Sequence, residues 1–242
     1  MRLDRYLAGA WLGTRSEVKD LIRKGQVQVS GQVVRDPAFQ AADDGSCEIL
    51  VNGHSVFYQH HLHLMLNKPA GLVTAMDDPR LPTIAGLIPP RYRHAGLFPV
   101  GRLDRDATGF LLLTNDGTLA HRLAAPRWQV WKSYHVEIEG LPFTAADPAG
   151  FLAGIVLADG QVCRLAHLTV IDCNKAVLMI HEGKFHQVKK MMLATGRRVI
   201  ALHRSEIGPV RLDDQLGPGE IRGLTRQETS LLYNLVGLAE DL

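Results

Sequence analysis

The sequence lacks the features that would place the protein in a membrane, outside the cell or around a structural metal. None of its apolar runs reaches the roughly 20 residues that a transmembrane helix needs. Its first residues, MRLDRYL, are charged from position 2 and have no apolar core of a secretory signal. Its three cysteines, Cys47, Cys163 and Cys173, show no C-x-x-C spacing, which argues against a disulfide framework or a zinc site. We therefore expect a cytoplasmic protein without a metal.

The chain also lacks a strong net charge, but its charges are unevenly distributed. The formal net charge of its 242 residues is +2. Residues 1–40 contain seven Lys or Arg and four Asp or Glu. The other 202 residues contain 20 Lys or Arg and 21 Asp or Glu. Residues 184–204 contain six basic side chains and no acidic one. Two separate basic patches are typical of a protein that binds a polyanion at two places, although a solvated charged surface accounts equally well for the charge alone.

The first forty residues have the pattern of helices followed by a hairpin. Apolar side chains at positions 3, 6, 7, 10 and 11 have helical spacing. The segment TRSEVKDLIRKG predicts a second helix, with Thr14 and Glu17 as a capping box and Gly25 as its stop. The segment QVQVSGQVV then alternates around Ser30 and Gly31, which predicts a β-hairpin.

One face of the second predicted helix is basic. The residues that form it, Arg15, Lys19 and Arg23, are spaced four apart. The run R-S-E-V-K-D-L-I-R-K-G-Q-V-Q-V-S-G resembles the S4 RNA-binding domain. The resemblance implies that this region, including Arg2 and Lys24, contacts RNA phosphates and shape rather than base edges.

The patterns change beyond residue 40. QHHLH at 59–63 could suggest metal-binding histidines, but no fourth ligand has suitable spacing, so a linker strand with exposed imidazoles is the better interpretation. From Leu64 onward, short predicted strands and helices alternate, and MLNKPAGLVT predicts strand, turn and strand. TRQETSLLYNLVG predicts a final helix with a second capping box, Thr225 and Glu228. Its expected inward residues are Leu231, Leu232, Leu235 and Val236.

In the stretch VGRLDRDATGFLLLTNDG at 100–117, charged residues and glycines precede an apolar run, and that run predicts a buried strand. Asp104, Asp106, Thr108 and Gly109 match the early positions of a calcium-binding EF-hand loop. The last ligand position is Asn115, which offers no bidentate carboxylate, and a strand signal follows where an EF-hand needs a loop and a helix.

The alternative for this stretch is a carboxylate held ready for chemistry. Arg102 and Arg105 flank Asp104, and their guanidinium groups can bind phosphates. The residue types alone support this only weakly, because aspartate in loops commonly forms turns.

Several segments, in a fixed order, resemble the motifs of pseudouridine synthases of the RsuA branch, which modify ribosomal RNA. The segment from 101 resembles the G-R-L-D signature, and N-K-P-A-G at 67–71 resembles the first motif. K-S-Y at 132–134 matches the K-x-Y segment, and E-G-K-F-H-Q-V-K-K-M at 182–191 matches E-G-R-x-H-Q-V-K-R-M, followed by A-L-H-R at 201–204. With the S4-like start, the resemblance spans nearly the whole chain.

The resemblance implies a role for each matching residue. Asp104 corresponds to the essential catalytic aspartate, Tyr134 to the tyrosine that stacks on the target base, and Lys189 to the basic partner of the aspartate, where related branches have Arg. The residues expected to form the substrate pocket are Arg102, Leu103 and Leu202. The further residues expected to contact RNA are Lys68, Arg105, Lys184, His186, Lys190 and Arg204.

The implied reaction detaches uracil from ribose C1′, turns it and rejoins it through C5, so no cofactor is expected. One ionised carboxylate could attack C1′, stabilise its charge or remove a sugar proton, and the sequence leaves all three routes open. An ammonium ~4 Å from Asp104 would attract it by about 4 kcal/mol before desolvation is subtracted. A helix beginning near Phe185 would place Lys189 in an early turn, where the helix dipole also favours an anion.

We therefore expect an α/β (α+β) protein with two domains. Residues 1–59 are predicted to form an S4-like RNA-binding domain and linker, and residues 60–242 a pseudouridine synthase domain with a mixed, largely antiparallel central sheet. The segments at 74–83 and 186–191 resemble the small-subunit members of this branch more than its large-subunit members, and this resemblance implies 16S rather than 23S rRNA. The expected partner is ribosomal RNA or a pre-ribosomal particle, at no membrane, and the expected state is a monomer. The rival from another class is a non-catalytic RNA-binding ribosome assembly factor.

Overall fold

The chain divides into two units. The computed structural model describes residues 1–42, 47–56, 58 and 61–239. The first unit comprises Met1–Leu62 and Ile88–Leu97, and the second comprises His63–Leu87 and residues 98–239. The predicted boundary between residues 59 and 60 falls outside the described residues. The sequence patterns gave no indication that Ile88–Leu97 belongs with the first unit. No helix in the described part of the chain is both long and apolar enough to cross a membrane.

Two short helices and a four-stranded antiparallel sheet form the first unit. The helices are α1 (Leu3–Gly9) and α2 (Arg15–Arg23). The strands are β1 (Val27–Val29), β2 (Gln32–Val34), β3 (Ile49–Val51) and β4 (His54–Ser55), in the order β2-β1-β3-β4. Apolar side chains from both helices and the sheet form its core, among them Leu3, Leu7, Val18, Ile22 and Val27.

The local predictions for this unit are confirmed, with one exception. Thr14 and Glu17 make both hydrogen bonds of the capping box, and Gly25 ends α2 with a φ of +73°. The turn between β1 and β2 is two residues long, and Ser30 and Gly31 both have positive φ, as the favoured hairpin turns require. The exception is α1, which stops at Gly9 instead of continuing through position 11.

A nine-stranded mixed sheet organises the second unit. Its strands are β5 (His63–Lys68), β6 (Phe98–Pro99), β7 (Thr108–Thr114), β8 (Lys132–Gly140), β9 (His167–Val170), β10 (Lys175–Ile180), β11 (Arg197–Ile207), β12 (Val210–Arg211) and β13 (Ile221–Gly223). The order is β13-β5-β7-β11-β8-β10-β9, with β6 on β7 and β12 on β11. Among the described strand pairs, β7 with β11 is the single parallel one, so the prediction of a mixed, largely antiparallel sheet is confirmed.

The described part of this unit contains four α-helices, and two of them cover part of the core of the sheet. They are α3 (Gly117–Ala124), α4 (Asp147–Ala153), α5 (Gln187–Ala194) and α6 (Arg226–Leu235). Phe110 and Leu112 of β7 pack in one cluster with Leu119 of α3 and Leu232 of α6. Helices α3 and α6 therefore cover the face of β7 that carries Phe110 and Leu112.

The capping box of α6 is confirmed, but the predicted inward orientation is wrong for two of four residues. Leu231 and Leu235 are exposed, whereas the sequence pattern placed them in the core. The buried stripe instead follows positions 229, 232, 233 and 236, because the Tyr233 hydroxyl donates a hydrogen bond to buried Asp116, with the two oxygens 2.6 Å apart. A polar contact between distant residues thus sets the rotation of the helix.

Two predictions near the start of the second unit also need correction. In MLNKPAGLVT the first strand forms as β5, but the second is reduced to an isolated bridge between Val73 and Thr83. Of the residues in QHHLH, 59 and 60 lie outside the described part. His63 is not exposed: it is buried in β5, with Nδ1 2.8 Å from Thr114 Oγ1.

Gly109 of β7 lies opposite Arg204 of the parallel strand β11. Its φ is +98°, and an added Cβ would collide with the Arg204 carbonyl oxygen and lie 2.8 Å from the Arg204 nitrogen. We expect Gly109→Ala to lower the free energy of unfolding by about 2–5 kcal/mol, because overpacking adds to backbone strain. Urea unfolding measures this. The control is Gly101→Ala, which has positive φ but open space around the added Cβ; equal losses in the two variants would contradict the prediction.

Candidate active site

The loop that carries Asp104 is fixed from two neighbouring segments. The Thr74 hydroxyl donates to the Leu103 carbonyl at 2.7 Å and accepts the Leu103 N–H at 3.1 Å. Lys68, the last residue of β5, directs its ammonium at a ring of carbonyl oxygens. These belong to Pro69, Asp104, Arg105 and Ala107, at 2.9–3.3 Å. The loop backbone is therefore held by one hydroxyl, that of Thr74, and one buried cation, that of Lys68.

This geometry corrects the prediction that Lys68 contacts RNA. Its side chain is fully buried, so no phosphate can reach the ammonium. Burial lowers the pKa of Lys68 to about 8, and the carboxylates of Asp106 and Asp104 partly oppose that effect. Lys68 stabilises the loop through its hydrogen bonds to backbone carbonyl oxygens.

Replacing Lys68 by methionine is expected to lower the free energy of unfolding by about 1–3 kcal/mol. The reason is that buried carbonyl oxygens of the loop lose their donor. Urea unfolding and hydrogen exchange at the Ala107 amide, which donates to the Asp104 carbonyl, report the change. Lys175→Met, at an exposed lysine of β10, is the matched control; no difference between the two variants would refute a structural role for Lys68.

Asp104 lies between two basic side chains of the segment that begins α5. Its Oδ2 is 3.0 Å from Lys189 Nζ, and its Oδ1 is 3.5 Å from His186 Nε2. Lys189 is the third residue of α5, so the prediction that it lies in an early helical turn is confirmed. Its ammonium also donates to Asp106 Oδ1 at 2.6 Å. One cation therefore joins two carboxylates of the same loop.

The two carboxylates differ in their exposure to solvent. The Asp104 side chain is 21% exposed and that of Asp106 is 74% exposed. Burial works against the charge of Lys189, but hydrogen bonds to Asp106 and Asp104 outweigh it and raise the pKa of Lys189. The bond from Lys189 is the main cause that lowers the pKa of Asp106. The site thus places the Lys189 ammonium beside the Asp104 carboxylate, most of which is removed from solvent.

Tyr134 and Arg204 connect the loop to the centre of the sheet. Tyr134, on β8, is buried, and Arg204 Nη1 donates to its hydroxyl at 3.4 Å. Arg204 Nε donates to the Phe110 carbonyl at 2.8 Å, on the strand that leaves the Asp104 loop. Arg204 is only 2% exposed, so the prediction that it contacts RNA is wrong. Its guanidinium instead ties β7, β8 and β11 together around Tyr134.

The other predicted residues of the substrate pocket and its RNA contacts differ in their exposure to solvent. Leu103 and Leu202 are buried, while Arg102 and Arg105 are exposed. Several predicted RNA contacts in this unit have protein partners within reach: Arg105 donates to the Gly71 carbonyl, Lys184 to the Val162 carbonyl, and Lys190 lies 3.7 Å from Asp159. In the first unit, Arg15, Arg23 and Lys24 are exposed, Lys19 is half-buried, and Arg2 pairs with Asp4 at 2.9 Å.

Sequence reasoning missed three features of this site. His186 was predicted only as an RNA contact, Asp106 only as a calcium ligand, and Thr74 not at all. The spacing of Asp106 two residues after Asp104 carries some signal for a shared cation. The EF-hand loop does not form. Strand β7 occupies the positions where that loop would continue, and Lys189 binds the carboxylates of Asp104 and Asp106. The described residues include no group of three or more His, Cys, Asp or Glu arranged to hold a metal.

Known families match both units. The model of the family described as RNA pseudouridylate synthase matches residues 62–194, and the S4 domain model matches residues 1–43. The chain belongs to the RNA pseudouridylate synthase family. The matched range contains Asp104, Tyr134 and Lys189, so the implied family and the S4 domain are both confirmed.

Individual relatives cover this synthase almost end to end. YtzG of Bacillus subtilis, an uncharacterized RNA pseudouridine synthase, is 40% identical over 236 residues, covering 96% of this chain and 98% of that protein. Ribosomal small subunit pseudouridine synthase A of Salmonella typhimurium is 38% identical, and the match covers 94% of this chain and 98% of that protein. A crystal structure of a pseudouridylate synthase is 36% identical with a TM-score of 0.67, and the match covers 96% of this chain and 99% of that one. The chain is an RNA pseudouridine synthase with an N-terminal S4 domain.

Proposed function

We propose that this protein isomerises one uridine of 16S small-subunit ribosomal RNA to pseudouridine, with Asp104 as its catalytic carboxylate. The observation that carries the proposal is the 3.0 Å contact between Asp104 Oδ2 and Lys189 Nζ in the half-enclosed loop. An ammonium at this distance compensates the charge of a carboxylate that is partly removed from solvent.

The charge of Asp104 fits the demands of the reaction. Breaking the bond between uracil and ribose builds positive charge at C1′. Lys189 and His186 approach Asp104 from the α5 side, 3.0 and 3.5 Å away. The carboxylate oxygens therefore supply the anion that attack on C1′, charge stabilisation or removal of a sugar proton each requires.

The buried residues near the loop suit a uracil that must stay close to its sugar after detachment. Tyr134 offers an aromatic ring, and base stacking on such a ring contributes about 1–3 kcal/mol. Leu103 and Leu202 supply apolar surface, which keeps water from trapping the intermediate. Extruding the target nucleotide costs a few kcal/mol, and phosphate contacts at exposed Arg102 and Arg105 help to offset it.

The choice of RNA rests on the relatives and on the first unit. The relatives of Salmonella typhimurium and Escherichia coli, 38% and 37% identical, carry the name ribosomal small subunit pseudouridine synthase A. Arg15 and Arg23 present exposed cations on α2 for the RNA backbone. We infer that the protein acts as a cytoplasmic monomer on this RNA, free or in a pre-ribosomal particle.

Incubating the purified protein with 16S and 23S transcripts, followed by pseudouridine mapping, tests the proposal. We expect one modified position in 16S RNA and none in 23S RNA, and cells that lack the protein should lose that same position. Modification confined to 23S RNA would overturn the substrate assignment. Absence of pseudouridine in every RNA and particle tried would favour the assembly-factor alternative.

A further inference from the structure

An exposed aromatic side chain lies beside the candidate active site. Phe185 is 75% exposed, the largest exposed fraction among the large apolar side chains of the described residues. Its ring is stacked on that of His186, with the ring centroids 3.8 Å apart and the planes inclined by 20°. His186 Nε2 in turn lies 3.5 Å from Asp104 Oδ1. The imidazole of His186 therefore links the Phe185 ring to the carboxylate of the loop.

The surroundings of Phe185 distinguish it from a scattered surface residue. Single exposed apolar side chains are common in soluble proteins. Here one face of the ring lies on His186, so the exposed surface includes the opposite face. His186 has a φ of +53°, directly before α5, and such backbone conformations are concentrated at functional sites. The motif E-G-R-x-H-Q-V-K-R-M leaves the residue at position 185 unspecified, so the resemblance assigns Phe185 no role.

The charged groups around the ring suit a nucleotide. Lys190 Nζ lies 5.8 Å from the centroid of the Phe185 ring. Lys190 also pairs with Asp159 at 3.7 Å, but both side chains are exposed, and such pairs contribute little stability. The Lys190 ammonium can therefore turn from Asp159 to a phosphate. Both carboxylates of the neighbouring loop are contacted by Lys189. A ligand that fits this surface has a flat neutral ring and a negative charge at its side.

We propose that Phe185 stacks on the base of the nucleotide directly next to the target uridine and thereby positions the RNA strand at Asp104. The assignment rests on the proposed function. Flipping the uridine out of its stack deprives each neighbouring base of a stacking partner. An aromatic ring at the same place replaces that partner, because every base has a π-face. The contact between His186 and Asp104 keeps this ring close to the place that C1′ of the target must occupy.

Phe185→Ala is expected to raise KM for the modified RNA roughly 5- to 100-fold and to leave kcat within about two-fold. The stack is present both before and during the reaction, so its loss weakens binding without slowing the chemical step. Phe185→Trp keeps an aromatic face and should stay close to the wild type, whereas Phe185→Leu keeps apolar bulk without a ring and should resemble Phe185→Ala. The matched control is Leu193→Ala, at a 65% exposed leucine of α5, which should leave KM unchanged.

Coupling between Phe185 and one particular base distinguishes stacking from a structural role. Filter binding measures the affinity of the wild type and of Phe185→Ala for 16S RNA fragments in which one nucleotide at a time is abasic. Removing the stacked base should weaken binding by the wild type about as much as Phe185→Ala weakens binding of the complete fragment. The same removal should weaken binding by Phe185→Ala less than about two-fold further, because the partner is already gone. At every other position the two effects should multiply.

The position of the coupled base tests the placement of the RNA strand. We expect it directly 5′ or 3′ of the uridine that pseudouridine mapping finds modified. Effects that multiply at every position, coupling to a base far from that uridine, or an unchanged KM in Phe185→Ala would each overturn the role of Phe185 and leave the reaction in place. Coupling to one base of an RNA that is never modified would instead refute the proposed reaction, and the stacking surface would remain.

Discussion

Asp104→Asn is expected to reduce pseudouridine formation by at least roughly 10²–10⁴-fold while leaving the affinity for RNA within about two-fold. The substitution keeps the size of the side chain and removes its charge, and C1′ then lacks the anion that compensates its developing positive charge. RNA affinity depends mainly on phosphate contacts elsewhere on the protein. Single-turnover kinetics and filter binding measure the two quantities separately.

Asp106→Asn is the matched control for this experiment. It removes a carboxylate from the same loop that bonds the same Lys189, but one that is 74% exposed. We expect it to retain activity within about ten-fold, because a solvated carboxylate contributes little to a shielded site. Normal activity in Asp104→Asn, or equal losses in the two variants, would remove Asp104 from its catalytic role.

Lys189→Met is expected to lower kcat by roughly 10²–10³-fold and to raise the pKa of Asp106. The variant removes the ammonium that contacts the carboxylates of both Asp104 and Asp106. In the wild type, the hydrogen bond from Lys189 is the main cause that lowers the pKa of Asp106. Without that bond, the Asp106 carboxyl is expected to become protonated at higher pH than in the wild type.

The conservative variant Lys189→Arg separates charge from packing. It restores a cation at the same helical position, and we expect it to recover most of kcat and the lowered pKa of Asp106. Steady-state kinetics measure kcat, and a nuclear magnetic resonance titration of the Asp106 carboxyl measures its pKa. An unchanged kcat together with an unchanged pKa of Asp106 in Lys189→Met would contradict the role of this ammonium in the site.

Local patterns predicted the parts of the fold that depend on local interactions. The capping boxes at Thr14 and Thr225 and the hairpin turn at Ser30 form because each joins residues that are three positions apart. The identity of the family came from several motifs in order, which is information beyond periodicity.

Long-range polar contacts are what the patterns could not predict. Lys68 and Arg204 look like surface cations in the sequence, yet both are buried, because carbonyl oxygens 36–39 residues away surround the first and Phe110 and Tyr134 hold the second. Leu231 faces solvent since Tyr233 reaches Asp116, 117 residues away. The grouping of Ile88–Leu97 with the first unit likewise follows from tertiary packing rather than from any turn or helix signal.

A crystal structure of the Asp104→Asn protein bound to its 16S RNA substrate tests the central claim most directly. The account predicts a flipped uridine with its base on Tyr134 and its C1′ within about 3.5 Å of the carboxamide at position 104, the separation of a near-attack geometry. A target uridine bound with C1′ out of reach of that group, or facing another carboxylate, would contradict it.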